Sequence, residues 1–265
     1  MKSGELISSK TNASLKRIGA ARRGKLEARI VLEGARLVED ALQAGARIET
    51  LFVAMRQAAW LEDLEDQSAV EEARLVEDSV FDASSGLEHS PGILALAHEP
   101  VSAELTQVFE GSSEPLVVAV AGVADPGNLG ALARSAEALG AKALLVARGG
   151  CSPWNEKALR GSMGSLLRLP IVHGRSADEL GVALANLEVR QVAAATRGGE
   201  SAEDFDWSGS IALWVGAETG DDLFVQPPRL EPVTLAMEGA AESFNVTVAA
   251  SLLLYESRRA RRGVR

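Results

Sequence analysis

Apolar residues follow two different patterns along this chain of 265 residues, and the change between them predicts two regions. In the N-terminal part, short apolar stretches alternate with helical spacing, as in residues 34–44, whose leucines and valine fall on one helical face. From residue 115 onward, continuous apolar runs such as 116–121 are typical of strands buried on both faces of a sheet. Helical segments separate these runs, so the pattern predicts an α/β fold built on a parallel sheet.

The same pattern sets the predicted boundaries. We predict a small α/β domain over residues 1–98, a connection containing Pro, Ser and Gly over 99–114, and a larger α/β domain over 115–265. In the larger domain, strands are expected at 116–121, 142–147, 168–172, 190–195, 211–215 and 232–235, with helices at 155–164 and 176–187. In the smaller domain, we expect a basic helix within 1–29, an acidic helical or irregular segment at 56–72, and short strands or turns at 74–76, 80–83 and 93–98.

Charge is distributed unevenly along the chain, although its net charge is −10. Residues 1–36 carry nine Lys or Arg against three Asp or Glu, and residues 258–265 contain five arginines and no acid. An acidic body with two basic ends indicates a polyanion held at particular places. The alternative is that both ends serve only as solubilising tails.

The sparse cysteine and histidine residues limit the other classes of protein. A single cysteine, Cys151, excludes an intrachain disulfide framework and favours a reducing compartment. No apolar run reaches transmembrane length and no signal-peptide core is present, so we predict a cytoplasmic protein without a membrane partner. His89, His98 and His173 lack metal-ligand spacing, so no metal is expected.

Two motifs lie where predicted strands of the larger domain end. Residues 128–134 open a helix, and the N–H groups at its start, near Asn128, can receive an anion or a polar ligand, with Arg134 further along the helix. Residues 214–220 form an apolar strand that ends in glycines around Glu218, and such glycines let a ligand approach the backbone closely. Each motif alone is also compatible with ordinary turns and helix caps.

A third motif covers residues 235–250 and combines a strand end, a turn and the start of an amphipathic helix. Ser243 and Asn245 stand at the helix entrance, where both are also good capping residues. Ligands bind beyond the carboxyl ends of strands in open α/β sheets, so all three motifs are expected at one edge of the sheet. Their joint occurrence in this order favours a functional site.

Two nucleotide-binding alternatives are excluded because the sequence lacks residues that each requires. Residues 19–25 match the start of a phosphate-binding P-loop, but Leu26 stands where a magnesium-binding Ser or Thr is required. A dinucleotide-dependent oxidoreductase requires Gly-x-Gly-x-x-Gly after the first strand, and the sequence has no such match.

The three motifs resemble those of the SpoU (TrmH-type) family of RNA ribose methyltransferases, within the SPOUT superfamily. Residues 157–164 and 168–170 are similar to the central segment of that family. Residues 9–12, 31–34 and 37–38 resemble a substrate-binding domain, similar to a ribosomal-protein RNA-binding fold, that many members carry. The resemblance covers nearly the whole chain and is more specific in its C-terminal part.

The resemblance implies a reaction, a cofactor and a topology that the spacing alone does not show. Members use S-adenosyl-L-methionine to methylate a ribose 2′-hydroxyl, carry a C-terminal trefoil knot, and form homodimers. For this chain the resemblance implies a structured RNA substrate, with 23S rRNA as the first choice and tRNA as the alternative. A SPOUT-like RNA-binding module without catalysis is the rival from another class, and it predicts losses among the polar motif residues.

Matching the family motifs residue by residue gives the expected site. The residues expected to contact the cofactor are Thr196, Gly216, Leu235, Met237 and Phe244. The residues expected to act in catalysis or substrate positioning are Asn128, Arg134, Glu218, Ser243 and Asn245. The residues expected to contact RNA are Lys10, Lys16, Arg17, Arg22, Arg23 and Arg160.

Some positions depart from the family pattern. Asp221 stands where the family usually has a glycine, and the glycine here is Gly220; Ala236 replaces a proline, and Phe244 and Thr247 replace Leu and Ser. The family assigns the role of base to the arginine that matches Arg134. Since guanidinium groups stay protonated in proteins, an electrostatic role on the neighbouring phosphate is the alternative.

Overall fold

A computed structural model describes residues 2–3, 6–64, 68–111, 113–216, 230–238 and 241–263. The chain divides into two compact units, Met1–Val101 and Ser102–Arg265. Among the described helices, none is both long and apolar enough to cross a membrane.

The N-terminal unit is a five-stranded mixed sheet with helices packed on it. Its elements are β1 (Lys2–Ser3), α1 (Ala13–Arg22), β2 (Arg29–Glu33), α2 (Ala35–Gln43), β3 (Ile48–Ala54), a 3-10 helix (Met55–Gln57), α3 (Ala58–Asp63), β4 (Val70–Val76), α4 (Asp78–Asp82) and β5 (Ile93–His98). The strand order is β1-β4-β3-β5-β2, and β5 runs antiparallel to both of its neighbours while the other pairs are parallel. One core cluster joins Ile18 of α1 to Phe52, Leu94 and Leu96 of the sheet.

Two predictions for this unit are corrected by the structure. Residues 80–83, predicted as a short strand or turn, belong instead mostly to α4, where Val80 and Phe81 are both buried. A helical turn lets these two consecutive residues contact the same core, whereas a strand would point them to opposite faces. The acidic segment 56–72, predicted as helical or irregular, also contains the start of β4 at Val70.

The C-terminal unit is a seven-stranded sheet in which every strand pair is parallel. Its elements are α5 (Leu105–Phe109), β6 (Leu116–Ala121), α6 (Pro126–Leu139), β7 (Leu144–Val146), α7 (Glu156–Gly161), α8 (Ser165–Arg168), β8 (Ile171–His173), α9 (Ala177–Asn186), β9 (Arg190–Ala195), β10 (Glu200–Ser201), β11 (Ile211–Gly216), β12 (Leu230–Thr234) and α10 (Val246–Arg261). The strand order is β10-β12-β9-β11-β6-β7-β8. The predicted α/β fold with a parallel sheet is therefore confirmed.

Alternate residues of the central strands are buried on one face of this sheet. Val117 and Ala119 of β6 and Trp214 of β11 pack there against Leu180 of α9. The Trp214 indole N–H donates to Gln191 Oε1 at 3.1 Å, so the buried polar groups of both side chains are paired. Because side chains alternate along a strand, the residues between them face the opposite side.

The segment predicted as the inter-domain connection, 99–114, carries structure of its own. Residues 102 onward belong to the C-terminal unit, and helix α5 lies within this segment. Leu105 is buried in the sheet core, with Val108 and Phe109 packed against the same cluster. These three apolar residues, spaced for one side of a helical turn, attach the segment to the sheet.

Candidate functional site

Helices α6, α7 and α10 each start at a polar side chain that caps their free N–H groups. Asp125 Oδ1 accepts the Asn128 N–H at 2.9 Å before α6, and Asn155 Oδ1 accepts the Lys157 N–H at 2.8 Å before α7. Asn245 Oδ1 accepts the Thr247 N–H at 2.9 Å before α10. Capping of this kind fixes where each helix begins.

The starts of α6 and α10 are bonded directly to one another, although their sequence separation exceeds a hundred residues. Asn245 Nδ2 donates to Asn128 Oδ1 at 3.2 Å, and Thr247 Oγ1 donates to the Asn128 carbonyl oxygen at 3.0 Å. One turn further along α10, Ser251 bonds to Ser135 of α6 at 2.8 Å. Two residues of different predicted motifs, Asn128 and Asn245, are thus in contact.

An open pocket lies at the ends of β9 and β12, beside the start of α10. The lining residues are Ala194, Ala195, Thr196, Val233, Leu235, Met237, Ser243, Phe244, Ala249 and Leu253. Four of the five residues expected to contact the cofactor line it, and Ser243 lines it as well. The walls are largely apolar, with the hydroxyls of Thr196 and Ser243 as side-chain polar groups.

The two expected residues of the second motif, Gly216 and Glu218, differ in whether the structure describes them. Gly216 ends β11, is half-buried and pairs with Ala121 of β6, but it is not among the residues that line the pocket. Glu218, with Gly220 and Asp221, lies outside the described residues.

Arg134 is exposed on α6, and within the described part of the chain its guanidinium has no hydrogen-bond or ion-pair partner. Gly130, one turn earlier, is buried. A Cβ added at Gly130 would lie 2.4 Å from the Ala158 carbonyl oxygen, so this glycine allows α7 to approach α6 closely. The motif therefore combines a packing residue with a free cation.

The basic residues expected to contact RNA fall into two groups. Arg22 is held within its unit: Nη2 lies 2.9 Å from Glu33 Oε2, and Nη1 donates to the Ser84 carbonyl at 2.6 Å. Arg17 forms a two-bond ion pair with Glu49. By contrast Lys10, Lys16 and Arg23 are exposed, and no acidic partner of theirs is found among the described residues.

The remaining basic segments are also partly engaged in the fold. Arg160, one of the residues expected to contact RNA, lies half-buried on α7, 3.9 Å from Glu156. At the C-terminal end, Arg261 donates to the carbonyls of Glu114 and Gly209. Desolvation by burial lowers the pKa of Arg261. Part of the C-terminal basic segment therefore serves to fix α10 to the sheet.

Sequence reasoning missed two charged residues beside Asn128. Lys157 Nζ lies 3.1 Å from Asp125 Oδ2, and the Asp125 pKa is lowered by the hydrogen bond from the Asn128 backbone and by Lys157. An Asp followed by Pro126 at the first helical position is a sequence signal for a cap. Lys157 opens the segment 157–164 that resembles the central segment of the family, but nothing in its spacing indicated a site residue. Among the described residues, no group of three or more His, Cys, Asp or Glu side chains is placed to hold a metal.

Comparison with known proteins identifies both units. Residues 115–255 match the model of the SpoU rRNA Methylase family, and residues 14–95 match the MRM3-like substrate binding domain. The chain is similar to the 23S rRNA (guanosine(2553)-2'-O)-methyltransferase RlmP of Bacillus subtilis, with 31% identity over 86% of this chain and 88% of that protein. It is 36% identical over 62% of its length to the mitochondrial rRNA methyltransferase 3B of Danio rerio, and spans only 37% of that relative.

A solved structure agrees with these sequence matches. The SpoU methyltransferase AviRb from Streptomyces viridochromogenes, in complex with AdoMet, superposes with a TM-score of 0.85 and 26% identity. The match covers 96% of this chain and 100% of AviRb. The resemblance inferred from the three motifs is therefore confirmed, and the chain belongs to the SpoU rRNA methylase family.

Proposed function

We propose that this protein catalyses S-adenosylmethionine-dependent 2′-O-methylation of a ribose in structured RNA, with 23S rRNA as the first candidate. The observation that carries the proposal is the contact between Asn128 and Asn245, two polar motif residues, next to the pocket lined by Thr196 and Met237. Membership of the SpoU family and the similarity to a 23S rRNA methyltransferase support it.

The pocket fits S-adenosylmethionine in its chemistry. Its lining is largely apolar and carries the hydroxyls of Thr196 and Ser243, and small-molecule sites are mostly apolar with a few polar groups. We assign Leu235, Met237 and Phe244 to the apolar contacts, Thr196 to a polar contact, and Gly216 to a backbone contact. When bound, S-adenosylmethionine supplies a methyl group made electrophilic by its positively charged sulfur.

The chain's own residues then have to bind the RNA and favour the ionised form of a ribose hydroxyl. We assign Arg134 to the phosphate beside the target ribose, because its guanidinium is exposed and has no partner among the described residues. A fixed positive charge there stabilises the negative charge that develops on the ribose oxygen. Asn128, Ser243 and Asn245 orient the sugar. Glu218 keeps the role of holding Arg134 or a backbone donor that the family resemblance implies.

We propose that the N-terminal unit binds the RNA through its unpaired cations. Lys10, Lys16 and Arg23 are exposed, whereas Arg17 and Arg22 are paired with Glu49 and Glu33. Each phosphate contact adds salt dependence to RNA binding. Replacing the unpaired Lys10, Lys16 and Arg23 is therefore expected to lower the salt dependence of RNA binding more than replacing the paired Arg17 and Arg22. In the C-terminal unit, Arg160 on α7 is the candidate for an RNA contact.

A homodimer is proposed from an apolar stripe on α10. Val248, Leu252 and Tyr255 are 45%, 39% and 54% exposed and follow the helical spacing of one face of α10. A large exposed stripe of this kind commonly marks an interface. Leu252→Glu is expected to give a monomer in analytical ultracentrifugation, and dimers unaffected by it would remove this interface from the proposal.

A trefoil knot is proposed from the path of the chain. Strand β12 is separated from β6 by β9 and β11, yet the helix that follows β12, α10, returns to pack on α6, which follows β6. This return across the carboxyl edge supports the knotted topology of the family.

The cytoplasmic location stays a prediction.

The test is transfer of a labelled methyl group from S-adenosylmethionine to separate pools of unmodified ribosomal and transfer RNA, followed by nucleoside analysis. A 2′-O-methylated nucleoside in the large rRNA is expected. Label in tRNA alone would move the substrate to tRNA. No label in either pool, with measurable cofactor binding, would favour the non-catalytic RNA-binding module.

A further inference from the structure

Asp125 and Lys157 form an ion pair at the start of α6, immediately before Asn128. Lys157 Nζ lies 3.1 Å from Asp125 Oδ2, while Asp125 Oδ1 accepts the Asn128 backbone N–H at 2.9 Å. One carboxylate thus joins the amino ends of α6 and α7. Both side chains are well exposed, 50% for Asp125 and 60% for Lys157, so the pair adds little to stability.

Two glycines make room for this pair. At Gly130 the α7 backbone comes so close that an added Cβ would lie 2.4 Å from the Ala158 carbonyl oxygen, and Lys157 precedes Ala158. At Gly127 an added Cβ would lie 2.8 Å from Asp125 Oδ1 and 3.5 Å from Lys157 Cε. Gly127 has ordinary helical backbone, so its missing side chain serves the close approach of the pair.

Asn128 is fixed from three sides, and only its amide N–H groups are left for a ligand. Its backbone N–H is held by Asp125, its backbone carbonyl accepts the Thr247 hydroxyl at 3.0 Å, and its Oδ1 accepts Asn245 Nδ2 at 3.2 Å. Within the described residues, no acceptor is found for Asn128 Nδ2. The arrangement fixes the side-chain amide of Asn128 and leaves its two Nδ2–H donors unpaired among the described residues.

We propose that Lys157, acting through Asp125, is a positioning residue that fixes Asn128 for the methyl-transfer reaction. The inference rests on the proposed function. Lys157 holds the Asp125 carboxylate in the orientation that caps α6, and the cap holds the backbone of Asn128. Precise placement of groups around a reacting centre has large effects on rate, even where its effect on stability is small.

The first test compares Lys157→Met with wild type in the methyl-transfer assay. We expect Lys157→Met to lower kcat by roughly tenfold through misplacement of Asn128. The dissociation constant for S-adenosylmethionine, KM for RNA and the melting temperature are expected to stay unchanged. Lys157→Arg, which keeps the charge, is expected to restore most of kcat.

Arg148→Met is the matched control. Arg148 pairs with Glu179 at 2.9 Å, both side chains are similarly exposed, and Glu179 also caps a helix start, that of α9. This variant therefore removes a comparable ion pair from the same unit and is expected to keep the wild-type kcat. An equal loss in Arg148→Met would overturn the proposal, as would wild-type kcat in Lys157→Met.

Asp125→Asn tests whether Lys157 acts through Asp125. Asparagine caps helices as well as aspartate does but cannot form the ion pair. We expect the same loss of kcat as in Lys157→Met, and no further loss when the two changes are combined. Additive losses, or a raised KM for RNA with unchanged kcat in Lys157→Met, would show that Lys157 acts directly on RNA and would overturn the proposal.

Amide hydrogen exchange gives a readout that does not depend on activity. The Asn128 N–H lies in the first turn of α6 and has no partner within the helix, so its protection comes from Asp125. Exchange at Asn128 is expected to speed up in Lys157→Met and not in Arg148→Met. If wild type transfers no methyl group to any RNA, the proposed function fails. The exchange measurement still tests whether Lys157 positions Asn128, and unchanged exchange at Asn128 in Lys157→Met would overturn that role.

Discussion

The polar side chains at the two edges of the seven-stranded sheet differ in how far they are bonded within the fold. At the amino edge, Arg190 makes a two-bond pair with Glu231, at 2.6 and 3.2 Å, and donates to the Asp206 carbonyl at 2.8 Å. Its guanidinium also lies over the Phe205 ring, 5.4 Å from the centroid. Nearby, Arg261 of α10 donates to two backbone carbonyls. These two arginines of the amino edge are bound within the fold.

At the carboxyl edge several polar groups are left available, although Asp125 pairs with Lys157 there and Arg148 pairs with Glu179. Asn128 and Asn245 bond to each other but remain half-buried and exposed, respectively, and Arg134 on the same helix as Asn128 is exposed. The apolar pocket opens beside them. The contrast supports our proposal that the site lies at the carboxyl edge, where all carboxyl ends of the parallel strands lie together. Variants at the two edges should therefore change different quantities.

The largest effect is expected from Arg134→Ala at the carboxyl edge. Loss of a charge that stabilises the developing negative charge should lower kcat by about 10²–10³-fold, with S-adenosylmethionine binding nearly intact. Steady-state methyl transfer and calorimetric titration of the cofactor measure the two quantities. Arg148→Ala, at another exposed arginine of the unit, is the control. Loss of cofactor binding in Arg134→Ala would contradict the assigned role.

A larger side chain in the pocket should weaken cofactor binding. Ala249 of α10 lines the pocket, and Ala249→Leu is expected to raise the dissociation constant for S-adenosylmethionine by roughly tenfold, since overpacking costs on the order of 1–3 kcal/mol. Ala260→Leu, at an exposed position of the same helix, is the control and should bind normally. Equal affinities in the two variants would place the cofactor elsewhere.

At the amino edge, Arg190→Gln should affect stability and not activity. The change leaves Glu231 without its partner and should lower the free energy of unfolding by about 1–2 kcal/mol. Urea titration measures the loss, and kcat per folded molecule should stay at the wild-type value. Arg262→Gln, at an exposed position, should leave both unchanged. A fall in kcat with normal stability would contradict the division between the edges.

The smallest effect is expected from pH at Asp125. Hydrogen bonding from the Asn128 backbone and from Lys157 lowers the Asp125 pKa, so the folded protein binds this proton less readily than the unfolded chain. The stabilisation by the ionised cap is fully present above about pH 4, the ordinary aspartate range, and is lost as the pH falls through the lowered pKa. NMR titration of the carboxyl carbon should show that low pKa in wild type and a higher one in Lys157→Met. Identical titration curves would mean that Lys157 does not interact with Asp125 in solution.

The sequence predicted the buried strands better than the elements around them. Residues 116–121 and 211–215 were expected as strands and lie in β6 and β11, because a strand covered on both faces is apolar throughout. Near residue 168, an expected strand of 168–172 became α8 followed by β8 at Ile171–His173. Short apolar stretches satisfy either conformation, and contacts with the rest of the sheet decide between them.

Among the candidate site residues, the sequence identified which residues to consider but not which were free. Arg22 and Arg23 are adjacent in a basic segment, yet Arg22 is bound to Glu33 and Arg23 is exposed. The pairing of Arg22 depends on how β2 and the loop after α4 pack, which no local pattern reveals. Lys157 was missed for the same reason, since its partner Asp125 lies in a different helix start.

The sequence by itself determined the α/β class, the buried parallel strands and the three motifs, because each of these is written in local spacing and residue type. The tertiary structure decided that Asn128 meets Asn245, that the residues after β9 and β12 line one pocket with the start of α10, and that some arginines bind the fold while others stay free. These are contacts between segments far apart in the chain. Their existence depends on the order in which strands enter the sheet, and that order is set by the packing of the whole unit.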